Sequence, residues 1–143
     1  MMTVLFHLAF PVTNLVDTER FYVQGLGCEP GRRSAASLIL NLYGHQLVAH
    51  VTEADLIPQQ GIYPRHFGLV FLQEADWEAL HETAQQRSLS FYQAAKRRFP
   101  GTLLEHRTFF LRDPFSNLLE FKYYCHTSAI FGEAQLAQVG DPE

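Results

Sequence analysis

Phe6-His7-Leu8-Ala9-Phe10-Pro11-Val12 and Arg65-His66-Phe67-Gly68-Leu69-Val70-Phe71 decide the fold. Each alternates around a histidine with the period of two that marks a strand. His7 and His66 lie 59 residues apart, and so do Asp17 and Asp76 in the amphipathic stretches that follow. A pattern that returns at a fixed interval points to one supersecondary unit used twice.

Working outward, Asn14 and Asp17 read as a capping pair that opens a helix. Leu15, Phe21 and Tyr22 give that helix an apolar side, and Gly25 and Gly27 suit its end. After the second strand, Trp77, Leu80, His81 and Ala84 fall at i, i+3, i+4 and i+7, which predicts a helix over about 74–87. Strand signals then follow in both halves: 37–43 and 46–51 on either side of Gly44-His45, and later 89–92, 107–111 and 118–124. Asp113-Pro114-Phe115-Ser116-Asn117 is turn chemistry. The expectation is one α+β domain over 1–143, built from two modules at 3–52 and 62–125. Glu53 to Tyr63 reads as the linker, and 126–143 as a tail with at most one short helix and a mobile end from Gly140 to Glu143. The stretches 28–36 and 93–105, with the basic run Lys96-Arg97-Arg98, read as loops.

Composition narrows the function. The chain has 143 residues, 47% hydrophobic and 18% charged, which excludes a disordered polypeptide. Fifteen acidic against 11 basic residues argue against a nucleic-acid binder. No apolar run approaches the ~18–20 residues that span a bilayer. Met1 to Phe10 lacks a basic n-region and a cleavage site and is interrupted by His7, so it does not read as a signal peptide. Cys28 and Cys125 fit free thiols in a reducing compartment, and the cytoplasm is the expected location. Ser34, Ser37 and Ser90 have no base nearby in sequence, and Gly25-Leu26-Gly27 ends a helix instead of opening one on a phosphate. Histidine outnumbers lysine by 7 to 2, which directs attention to metal and acid–base chemistry.

Side chains alternate faces along a strand. His7 shares a face with Ala9, and His66 with Gly68, so each histidine has a small neighbour that leaves room for a substrate. A duplicated module that closes its sheets face to face would bring the two histidines together. Glu120 sits among apolar residues in Leu118-Leu119-Glu120-Phe121-Lys122-Tyr123, where a carboxylate is costly unless paired or metal-bound. Two imidazoles and a carboxylate form a set suited to Fe(II), and also to a zinc Lewis acid. The plainer alternative is two half-buried strand histidines with backbone partners and a glutamate paired to Lys122 or an arginine at the sheet edge. His50 is either a fourth ligand or proton carrier, or a solvated strand histidine. Tyr124 shares the parity of Glu120 and either orients substrate, holds a proton or packs in the core. His45 reads as hairpin structure, His81 as a packing or surface residue, and His106 and His126 as exposed.

These segments, with Phe21-Tyr22, Gly25-Leu26-Gly27, Gly44-His45-Gln46-Leu47-Val48-Ala49-His50 and Phe110-Leu111-Arg112-Asp113-Pro114 through Asn117-Leu118-Leu119-Glu120-Phe121-Lys122, resemble the vicinal oxygen chelate superfamily. That superfamily includes glyoxalase I, bleomycin-resistance proteins and extradiol dioxygenases; the pattern is nearest to small proteins classed as predicted extradiol-type dioxygenases. The resemblance implies two βαβββ modules curling a mixed sheet around a metal site, with His7, His66 and Glu120 as ligands. It implies a divalent metal, Fe(II) first and Mn, Zn or Ni as alternatives, a catechol-like or other vicinal-oxygen substrate, and a homodimer. His50 and Tyr124 are the catalytic candidates. Glyoxalase-type members take a fourth ligand from the first module; Val48 stands at the equivalent position here and cannot bind metal. That favours a three-ligand dioxygenase-like site, unless a bulge brings Gln46 or His50 forward. A Zn or Ni lyase and a non-catalytic sequestering protein are the other two expectations.

Overall fold

The computed structural model describes residues 3–140. The first half contains β1 (His7–Val12), α1 (Leu15–Thr18) running directly into a π-helical segment (Glu19–Gly25), β2 (Glu29–Arg33), β3 (Ser37–Leu42) and β4 (His45–Val51). The second contains β5 (Phe67–Phe71), α2 (Glu74–Gln86), β6 (Phe91–Arg98), β7 (His106–Arg112) and β8 (Leu118–Tyr124), followed by α3 (Ser128–Phe131). The two four-stranded sheets have the orders β1-β4-β3-β2 and β5-β8-β7-β6. In each, the first strand pairs parallel with the last and the remaining pairs are antiparallel. The repeat read from the two histidine segments is therefore a repeat of topology.

Local signals explain the helices. The Asn14 side chain accepts from the Asp17 backbone N–H at 2.7 Å, satisfying one of the orphan donors at the start of α1. The π-helical segment ends at Leu26, and Gly27 follows at φ 85°, a conformation that suits glycine. α2 lays Trp77, Leu80 and Ala84 on the second sheet, and the Trp77 indole N–H donates to the Phe121 carbonyl at 2.8 Å.

One apolar cluster holds both halves together. Phe10, Val12, Leu38, Leu40 and Ala49 of the first sheet share it with Phe71, Phe109, Leu111, Leu119 and Phe121 of the second. At the seam the Phe10 and Phe67 rings lie 5.5 Å apart, and Asn117 Nδ2 donates to the Pro11 carbonyl at 2.9 Å. Tyr22 reaches across from the first helix and donates its hydroxyl to Asp113 Oδ2 at 2.7 Å. Asp113 also accepts from the backbone N–H groups of Phe115 and Asn117, so the predicted turn forms around a buried carboxylate.

One strand was not read from the residues and another was read short at 89–92. β2 is exposed along its whole length and has no alternation to read. β6 extends to Arg98, so Lys96-Arg97-Arg98 is strand and not loop; register shifts between Phe91 and Gln93 and between Gln93 and Lys96 break the period that identifies a strand. The tail does contain one short helix, while most of the end expected to be mobile, 141–143, lies outside the described residues. Among the described residues no helix is long and apolar enough to cross a membrane.

Burial, then the Asp113 charge and its hydrogen bond, push the Tyr22 phenol well above its ordinary value. A group whose folded pKa is raised contributes stability that is present below its unfolded pKa, about 10, and lost as pH rises beyond it. Absorbance titration should therefore show one of the six tyrosines refusing to ionise until the alkaline unfolding transition. Tyr22→Phe should cost about 1–3 kcal/mol in denaturant melts at neutral pH by removing a donor from buried Asp113.

Candidate metal centre

The face of the second sheet opposite its helix can be followed row by row from the pairing. Gly68, Glu120, Phe110 and Gln93 form one row, Val70, Lys122, Thr108 and Lys96 the next, and Tyr124, His106 and Arg98 the third. Glu120 thus sits in the middle of a sheet, 6% exposed, as its apolar sequence neighbours required. Its carboxylate is compensated on both oxygens. Oε1 lies 3.0 Å from His66 Nε2 and 3.9 Å from Lys122 Nζ. Oε2 accepts from the Thr108 hydroxyl at 2.6 Å and from Arg98 at 3.1 Å. Burial by itself would raise the Glu120 pKa; the His66 hydrogen bond, the Lys122 charge, the Thr108 hydroxyl and the Arg98 charge outweigh it and hold the carboxyl at about 2.

These partners correct the sequence reading. The cations were expected at the sheet edge, away from the Glu120 face, and both Arg98 and Lys122 are on it. The signal that could have found Arg98 is its placement opposite a strand rich in apolar residues, hidden by the two register shifts.

His66 lies just before β5 and is half-buried. Its Nδ1 donates to the Ile62 carbonyl at 2.6 Å, which leaves Nε2 toward Glu120. The hydrogen bond to Glu120 raises the His66 pKa, burial opposes it, and the bond to Ile62 adds to it. An imidazole held by one nitrogen with the other toward a carboxylate is the outer-shell arrangement of a metal-ligating histidine. Ile62 and Tyr63 of the linker pack with Phe110 and Leu118 on this face and cover one end of it. A cavity of about 500 Å³ opens beside His66 at the seam between the sheets, bounded by Ala9, Pro11, Leu56, Phe115 and Asn117.

The structure brings His66 and Glu120 together and leaves His7 apart. Among the described residues no group of three histidine, cysteine or acidic side chains is placed to hold a metal, so the expectation that the two histidines meet within one chain is not met. His7 is exposed on the open face of the first sheet, with Nδ1 2.7 Å from Gln46 Oε1. Gln46 therefore orients His7. Val48 pairs with Ala9 as Glu120 pairs with Gly68, so valine does occupy the position equivalent to the carboxylate. His50 pairs with Pro11 on the same face, exposed. Tyr124 stands four residues beyond Glu120, about 13 Å along the strand, with its ring 4.8 Å from that of His106. His106, expected to be exposed, is 3% exposed. Gly68 is glycine for a reason other than substrate room: a Cβ there would lie 1.7 Å from the Glu120 carbonyl oxygen.

Two sheets with this shared topology, each opening with a parallel pair and a histidine at its start, match a known family. The family model of the glyoxalase/bleomycin resistance protein/dioxygenase superfamily covers residues 4–121. The chain belongs to that superfamily. A glyoxalase/bleomycin resistance protein/dioxygenase from Alicyclobacillus acidocaldarius is 41% identical, with a TM-score of 0.86 over 90% of this chain and 97% of that one. The fosfomycin resistance protein FosX from Listeria monocytogenes shares the fold at 15% identity, with a TM-score of 0.67 over 90% of this chain and 99% of that one. A mutant FosX complexed with Mn(II) and 1S,2S-dihydroxypropylphosphonic acid is 16% identical, with a TM-score of 0.63 over 89% and 93% of the two chains. No curated protein matches the chain significantly.

The donors present in this superfamily member suit a divalent metal. Glu120 is ionised and desolvated, His66 is anchored through its far nitrogen, and imidazole with carboxylate accepts iron, manganese, zinc or nickel. Gly68→Ala should cost about 3 kcal/mol or more in denaturant melts, because the added methyl meets backbone that cannot yield without moving Glu120.

Proposed function

We propose that this protein is a divalent-metal enzyme acting on a small molecule through two neighbouring oxygens, with His66 and Glu120 of one chain and His7 of a second copy as ligands. The observation that carries the reading is the His66–Glu120 pair, 3.0 Å apart, each member fixed by further partners. His7 joins the reading because it is the repeat counterpart of His66 and is likewise oriented by a hydrogen bond. A second copy supplies it because the first sheet's open face is bare: His7, Ala9, Pro11 and His50 are all exposed. Val4, Leu5 and Phe6, each more than half exposed, extend that face with apolar surface for a homodimer to cover.

Fe(II) is the metal the three-ligand set favours, and when bound it would supply redox chemistry toward dioxygen and polarise the substrate oxygens. The chain's residues do the rest. Thr108, Arg98 and Lys122 keep Glu120 ionised and aimed. Gln93 Oε1, buried in the same row with no hydrogen-bond partner among the described residues, can accept from a substrate hydroxyl. Ile62 and Tyr63 keep water from one side. His50, exposed on the face that carries His7, is the group to move a proton. Lys96, Arg98 and Lys122 on one face also favour a second reading, metal-assisted chemistry without dioxygen on an anionic substrate.

Metal analysis after anaerobic loading tests the site. Glu120→Ala and His7→Ala should each lose tight metal binding, and mixing the two variants should restore roughly a quarter of the wild-type content, because half the pairs are mixed and each then has one intact site. Full iron retention by Glu120→Ala would overturn the ligand set; no recovery on mixing would overturn the shared site. Oxygen uptake with a catechol panel separates the two chemistries: uptake supports the dioxygenase, and its absence with a metal-loaded protein supports the second reading.

A further inference from the structure

The tail that follows β8 touches the open face at two places, and they bracket Glu120. Near its start, Ile130 and Leu136 border a cavity of about 270 Å³ together with His106 and Tyr124 of the third row. Tyr124 stands about 13 Å beyond Glu120 along β8. At its far end, Gly140 comes up against the Tyr63 hydroxyl, which a Cβ at that position would overlap. Tyr63 packs against the cluster of Ile62, Phe110 and Leu118, and Phe110 is in the row of Glu120. The Tyr63 ring is also 6.1 Å from that of His66. The tail therefore runs from the third row back to the linker beside His66. Lys122 stands between the two places: its Nζ is 3.9 Å from Glu120 Oε1 and 5.2 Å from the centre of the Tyr124 ring.

Little holds the tail in that position. Among the described residues, the last backbone hydrogen bond to the body of the molecule is made by the Cys125 N–H, which donates to the Glu105 carbonyl at 3.0 Å. Beyond it the backbone bonds close within the tail: Ala129 donates to His126, Ile130 to Thr127, Gly132 to Ser128 and Leu136 to Glu133. Every residue from Phe131 to Val139 except Glu133 is exposed. The strands beneath are the opposite case, with β7 and β8 paired along their whole length. A segment with few buried apolar contacts and no backbone bond into a sheet opens at a far lower free energy than the strands it lies on.

We propose that residues 128–140 form a lid over the Glu120 end of the open face, hinged after Cys125 and latched where Gly140 meets Tyr63, which lifts to admit a small molecule and closes to keep water from it. The latch depends on glycine: Gly140 has φ 67°, a conformation that a side chain disfavours, and the Tyr63 hydroxyl occupies the space a side chain would take. A lid of this kind opens locally while the sheet that carries the site stays folded. It covers the same end of the sheet as the metal-enzyme reading and rests on that reading only for the identity of what enters. Its test needs no metal, so failure of the lid and failure of the metal site give different results.

The experiment uses the full chain, stripped of metal and trace-labelled with diethyl pyrocarbonate. Mass spectrometry reads the labelling of Lys122, with His7 and His50, exposed on the other sheet, as references. Amide hydrogen exchange is followed in parallel. In the wild-type protein, urea well below the unfolding midpoint should raise Lys122 labelling together with exchange of 128–140, before β7 and β8 lose protection. Gly140→Val should release the latch, and Ile130→Asp combined with Leu136→Asp should lift the start of the lid. Each should raise Lys122 labelling about tenfold, because reactivity follows the open population, and leave His7 and His50 unchanged. Three results would each overturn the lid: wild-type Lys122 labelled as fast as in the denatured chain, Lys122 gaining reactivity only as β7 and β8 unfold, or Lys122 unmoved in variants whose strands keep their protection. The wild-type measurement decides the matter even if the variants fail to fold.

Discussion

A carboxylate in the middle of a sheet sets the terms for the second half of this molecule. Glu120 is 6% exposed, and an isolated buried carboxylate would neutralise instead of remaining charged. It remains ionised because four elements converge on it. β7 sends Thr108, β6 sends Arg98, the segment before β5 sends His66, and its own strand adds Lys122. Removing any one partner leaves a charge short of compensation, so the network binds the strand order as firmly as it binds the charge. The parallel pairing of β5 with β8 brings His66 within reach, and it is close enough to forbid a side chain at Gly68.

The first half shows what the same topology looks like without that constraint. Val48 takes the place of Glu120, Ala9 that of Gly68 and Ile39 that of Phe110. No buried carboxylate needs compensation there among the described residues, and His7, Ala9, Pro11 and His50 stay exposed. His7 is exposed there and is held by Gln46. Duplication has thus produced one half that builds a charged pocket and one that offers a single oriented imidazole on a bare surface. A surface of that kind is of use chiefly to another surface, and this asymmetry is the physical argument for a site completed between two copies.

Legibility from sequence followed the strength of local signals. The paired histidine strands, the Asn14 cap and the i, i+3, i+4, i+7 run of α2 are short-range patterns, and they appear where they were read. Glu120 was legible because a lone acid in an apolar strand is conspicuous. Arg98 was not: three consecutive basic residues look solvated, and the register shifts in β6 remove the alternation that would have shown one of them pointing inward. β2 was missed because an exposed edge strand containing Pro30 and Gly31 has no buried face to betray it. His106 was misjudged for a different reason. Its burial depends on a tail that begins some twenty residues later, and no local period encodes that.

The open face of the second sheet therefore changes character along its length. Around Glu120 it is dense with charge and every partner is fixed, which suits an ion and polar oxygens. Two rows on, the same strands present His106 and Tyr124 under the tail, and His106 Nε2 is buried with no hydrogen-bond partner among the described residues. Arg98 joins the two regions: its backbone pairs with His106 while its guanidinium reaches back to Glu120. Any shift of β6 that relaxes the one must disturb the other, because a buried guanidinium cannot leave its carboxylate without stranding both charges.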